Sequence, residues 1–157
     1  MRKLAEVQEA KELMNAAMEW STFKWIWEKS TVRQKANHAN AALDRAERNI
    51  KAKWSDETKA SYKQLSAKKP KGENPDAGHD IPDAASQLVK KVVDADHAAQ
   101  RARADAEDTF EEAEEKMSTD LARVGCKKAI HSWELHERAI RSAEALLESA
   151  AAKHQQQ

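Results

Sequence analysis

All three prolines of this chain, Pro70, Pro75 and Pro82, and two of its three glycines, Gly72 and Gly78, fall in one central stretch. Proline removes a helical hydrogen bond, and glycine raises the entropy cost of an ordered backbone. The stretch therefore reads as a loop over about 69–82. It leaves two long arms, about 1–68 and 83–152, that are almost free of helix breakers. Thirty alanines and a 34% charged content among 157 residues suit long helices. The expected fold is all-α: an antiparallel bundle, four main helices in one domain spanning 1–157. The alternative is an extended helical hairpin.

The arms carry apolar side chains at alternating spacings of three and four, the mark of a helix with one buried seam. In the first arm the run is Val32, Ala36, Ala39, Leu43, Ala46, Ile50 and Trp54. In the second it is Leu88, Val92, Ala95, Ala99, Ala102, Ala106, Phe110, Ala113, Met117, Leu121 and Val124, resuming as Ala129, Trp133, His136, Ile140, Ala143, Leu147 and Ala150. Asp80 and Pro82 supply an N-cap and a first-turn residue for the second arm. The five-residue step from Val124 to Ala129, with Gly125 inside it, predicts a break within residues 118–127. Thr31 and Gln34 have capping-box spacing, which predicts a break near residues 29–31. Ser55 and Asp56 predict the start of a further short helix to about residue 68. If the arms pair antiparallel about the loop, the two breaks fall at one level and Trp20 lies beside Trp133.

Charge and cysteine content bound the function. Lys plus Arg equals Asp plus Glu, 27 against 27. A balanced chain lacks the basic surface that general nucleic-acid binding requires. Lys68, Lys69 and Lys71 form only a local basic stretch. Cys126 is the one cysteine, so no internal disulfide or Cys-based zinc site is available. No run of about 18 apolar residues occurs, so no membrane span is expected. The N-terminal residues lack a signal-peptide pattern, and a soluble, cytoplasmic protein is the expectation.

Catalytic signatures are absent. Gly72, Gly78 and Gly125 are isolated and form no phosphate loop. Asp94 and His97 approximate the Glu-x-x-His spacing of a diiron bundle, but they flank the seam rather than face it. No catalytic residue, metal site or cofactor is expected. Cys126 stands beside Lys127 and Lys128, a setting that can lower a thiol pKa.

Two features remain. The segment from Trp20 to Trp27 places Trp20, Phe23, Trp25 and Trp27 around most of a helix circumference, so it is either a packing node or a binding surface. His136 sits in the seam after Trp133, where an imidazole needs a hydrogen-bond partner. Trp20, Phe23, Trp25, Trp27, Trp133 and His136 are thus the candidate ligand or interaction residues. The leading expectation is a non-enzymatic interaction or scaffold protein, with a protein partner or self-association. The alternative is a small-ligand- or metal-binding bundle with an inter-helix pocket near these tryptophans and His136.

Overall fold

A computed structural model describes residues 4–67 and 84–156 of the chain. Among them are five α-helices and no strand: α1 (Ala5–Ala17), α2 (Thr22–Ala52), α3 (Asp56–Ser66), α4 (Ala84–Lys116) and α5 (Thr119–Gln156). The chain is all-α and its helices pack as a bundle. The predicted loop, the Asp80 cap and the basic stretch at 68–71 lie outside the described residues.

Ion pairs fix the directions of the helices. α1 folds back on α2, with Glu9 reaching Lys35 at 3.0 Å and Glu6 reaching Arg45 at 3.6 Å. α4 runs antiparallel to α2: Lys51 meets Asp96 at 2.8 Å, Asp44 meets Arg103 at 3.2 Å and Arg33 meets Glu114 at 3.9 Å. α5 turns back along α4, with Lys128 on Asp105 at 3.0 Å. Two reversals leave α2 and α5 parallel. Both arms therefore fold back, as in the bundle rather than the extended hairpin.

The first fold-back is not at residues 29–31, through which α2 runs unbroken. It lies at Met18–Ser21. There Ser21 caps α2 by accepting a hydrogen bond from the Lys24 N–H at 3.3 Å. Arg123 closes the turn by donating to the Met18 and Trp20 carbonyls at 2.7 and 3.3 Å. Capping-box spacing is also ordinary i, i+3 spacing inside a helix, and a free backbone N–H is what gives it meaning. Because this break comes earlier, Trp20 lies at the level of Arg123 and not of Trp133.

The second fold-back is at Met117–Ser118, at the start of the predicted range, and α5 continues through Gly125. Met117 adopts a left-handed φ of 53°. The Ser118 N–H donates to the Ala113 carbonyl at 3.0 Å, the long closing bond of a Schellman cap. Ser118 then caps α5 by accepting from the Leu121 N–H at 3.2 Å. Gly125 is not a cap. A Cβ there would stand 2.8 Å from the Phe110 ring, so its smallness lets α4 and α5 approach. The two breaks do meet at one end, where the Thr119 hydroxyl donates to that of Thr22 at 2.7 Å.

Large side chains carry the core. One cluster gathers Met14, Trp25, Val32, Leu43, Phe110, Trp133 and Ile140; a second gathers Trp54, Val89, Val92, Val93 and Leu146 around α3 and the far end of α2. Trp54 satisfies its indole N–H on the Ala143 carbonyl at 3.2 Å. Ser55 starts α3 as its cap, as the sequence predicts. Met117 and Val124 leave the predicted seam and are exposed, because the chain reverses between α4 and α5 and the helical phase restarts.

Candidate functional site

The predicted site residues separate into three places. Trp25 and Trp133 are interior, and Trp20 is buried with the Lys24 ammonium 5.0 Å over its ring. Trp25 stacks on Phe110 at 6.3 Å, and the Trp133 indole N–H donates to the Asn40 side-chain oxygen at 3.0 Å. Phe23 and Trp27 point outward, 71% and 70% exposed, with ring centroids 6.1 Å apart. Ile26 is exposed beside them. A helix whose first two turns put Trp25 inward and three large apolar groups outward has been given more apolar surface than its own bundle can cover.

His136 is in the third place, a buried polar cluster. Its Nε2 lies 2.7 Å from Glu47 Oε2 and 3.8 Å from Asp44 Oδ1. Lys51 Nζ sits 3.0 Å from the other Glu47 oxygen and donates to Asp96 Oδ2 and to the Tyr62 hydroxyl, each at 2.8 Å. The Tyr62 hydroxyl in turn donates to Asp96. The Lys51 ammonium also lies 4.1 Å from the centre of the Tyr62 ring, a cation–π distance. α2, α3, α4 and α5 each contribute to this network. It borders a cavity of about 290 Å³, lined also by Asn40, Asp44, Gln100, Arg103 and Ser132. Trp133 does not line it; a smaller pocket of about 30 Å³ between Asn40, Phe110 and Trp133 adjoins.

Burial and pairing push the two central carboxyls apart. Burial raises Glu47, but the hydrogen bond from His136, the contact with Asp96 and the Lys51 charge outweigh it and hold the group near about 2. Burial also raises Asp96, and the neighbouring Glu47 carboxylate raises it further, to about 6 despite Lys51 and Tyr62. Lys51 loses hydration by burial, yet its bonds to Asp96 and Tyr62 keep it firmly protonated. Tyr62 is pushed up to about 12 by burial and by Asp96. A carboxyl near neutrality beside one that stays ionised can hold or release a proton in the physiological range.

Sequence reasoning missed Asn40, Glu47, Lys51, Tyr62 and Asp96. The signal was present: Glu47 follows Leu43 by four, and Asp96 follows Val92 by four, so both stand at seam spacing. A charge at such a position has to be paired. Cys126 is buried and its thiol is pushed up to about 12, the opposite of an activated nucleophile. Lys128, one of the two lysines beside it in sequence, is engaged by Asp105 and Thr109. Among the described residues no three His, Cys, Asp or Glu side chains are grouped to hold a metal ion, and no helix is long and apolar enough to cross a membrane. No protein family's sequence profile matches the chain, and comparison with curated proteins and with solved structures finds no significant similarity.

Proposed function

We propose that the protein is a non-enzymatic interaction module whose docking surface is the aromatic start of α2. The observation that carries this reading is the exposure of Phe23 and Trp27, with Ile26 beside them, in a protein whose other tryptophans are all buried. Scattered apolar residues are normal on a surface, but a contiguous aromatic patch marks association. Tryptophan is also the residue most enriched among those that dominate binding energy. The reading includes a reducing, cytoplasmic setting, which a single buried cysteine suits.

The test is photo-crosslinking in the cells that make the protein. A benzophenone side chain at position 23 should give an adduct of discrete mass. The same group at Gln64, exposed on α3, should give none. No discrete adduct at position 23, or equal labelling at both positions, overturns the reading.

A second reading rests on the cavity between α2, α4 and α5. Its volume and its two divergent carboxyls suit a small polar ligand. A stabilising thermal shift with a small polar solute, abolished by Glu47→Gln, supports it; a screen without such a shift rejects it.

A further inference from the structure

We infer that the occupant of the α2 surface is a second copy of this chain, paired antiparallel along α2 about a two-fold axis. The inference rests on the reading of α2 as a docking surface and adds the partner and its register.

The outward face of α2 has its own pattern. Phe23, Trp27, Ser30, Gln34, Asn37 and Ala41 follow one another at alternating spacings of four and three, and all six are exposed. Trp25, Val32 and Ala39, on the opposite side of the same helix, are buried. The six positions therefore form a second heptad seam on the outer side of α2, with Asn37 at its edge also bordering the small pocket against α4. It extends about 27 Å at 1.5 Å per residue. None of the six is charged, although a third of the chain is. Loss of charge, with aromatic enrichment, is the compositional mark of an interface core.

The order of sizes selects the partner. The two aromatic groups stand at one end of the stripe, and Asn37 and Ala41 at the other. In a two-fold pairing residue i meets j and j meets i. With the helices antiparallel and centred between positions 30 and 34, Phe23 rests on Ala41 of the second copy, Trp27 on its Asn37, and Ser30 on its Gln34. Each bulky group meets a small or polar one, and both ends of the contact are filled alike. A parallel pairing would instead stack aromatics on aromatics and leave the small ends apart.

Charge agrees with this register. Glu19, in the turn ahead of α2, precedes the stripe and Arg48 follows it, so opposite charges come together at each end, while Arg45 is held by Glu6 of its own chain. Arg33, beside the seam, turns toward Phe110 and Glu114 of its own chain, which keeps the two copies' Arg33 side chains from facing each other. Four aromatic side chains at roughly 150–250 Å² each, about seven-tenths of it open in the single chain, supply about 400–700 Å² of newly buried surface. With the remainder of the stripe the total approaches the roughly 1,200 Å² at which specific protein interfaces begin.

The experiment uses the purified 157-residue chain. Sedimentation equilibrium over a concentration series should show reversible association toward twice the 17.7 kDa of one chain. Trp27→Glu should weaken it at least tenfold. Ala41→Lys should do the same with both aromatics intact, because the new side chain meets Phe23 of the second copy; circular dichroism should show both variants fully helical. A mixture of Ser30→Cys and Gln34→Cys proteins should crosslink on oxidation faster than either alone. A monomer at every concentration overturns the inference but leaves the docking reading standing if the position-23 photo-adduct joins a different protein. A dimer indifferent to Ala41→Lys, or one in which Ser30→Cys crosslinks best to itself, overturns the antiparallel register.

Discussion

Asp96 carries the most informative single titration in the molecule. Its folded pKa of about 6 lies above the ordinary 3.8, so the folded protein retains a proton that the unfolded chain gives up between those values. Its contribution to stability is therefore fully present below about pH 4 and is lost as pH rises through 6. Glu47 has the opposite sign: held near about 2 against an ordinary 4.5, it contributes above pH 4.5 and loses that contribution as pH falls toward 2. On acidification from pH 7 to 5, Asp96 gains while Glu47 is unchanged. Asp96→Asn cannot take up the proton. Urea unfolding of the two proteins should show the wild type gaining about 1 kcal/mol on the variant between pH 7 and 5. A stability difference that stays constant over that interval would remove Asp96 from the role of proton acceptor. Glu47 and Asp96 were missed in the sequence although both stand as charges at seam spacing. The partners of Asp96 were not legible there: Lys51 and Tyr62 reach it across helix boundaries, at distances set by how α2 and α3 pack on α4.

At the scale of elements, α4 and α5 approach each other tightly at Gly125. Alanine there would improve helix propensity by about 1 kcal/mol. Its Cβ, however, would stand 2.8 and 2.9 Å from two Phe110 ring carbons, and that ring is held by Trp25 behind it. Overpacking of this kind costs roughly 1–3 kcal/mol. Gly125→Ala should therefore destabilise the protein by about 1 kcal/mol net in chemical melts. Repeating the change in a Phe110→Leu background should make it neutral or favourable, and a cost that persists there would place the constraint elsewhere. The glycine was visible in the sequence and drew attention to the correct helix pair, but a glycine that ends a helix and one that admits a neighbour look alike before packing is known. Met117 shows the converse: a bulky residue takes the left-handed position that glycine was expected to hold. The seams of α2 and the middle of α4 and α5 were legible because a 3.6-residue period needs no knowledge of partners. The first turn was not, since it depends on a tertiary cap, Arg123 on the Met18 and Trp20 carbonyls, whereas the second fell at the start of the predicted range.

For the molecule as a whole, two fold-backs at one end convert a chain of two arms into a bundle in which α2 and α5 run parallel and α4 opposes both. That order was implicit in the paired breaks, whereas the level of Trp20 was displaced by the earlier position of the first one. It also sorts the aromatic residues. Trp20, Trp25, Trp54 and Trp133 are enclosed by the bundle, and Trp27 alone among the five tryptophans stands in water. The chain thus carries an optical gauge of its own outer surface. Iodide, which quenches by collision, should silence the red-shifted emission of one indole and spare the bluer emission of four. Trp27→Phe should leave a spectrum that iodide barely touches; quenchable light surviving that change would mean that another indole is open to solvent. In the wild type, the quenchable share becomes a direct reading of how much of the protein, at a given concentration, has its α2 face uncovered.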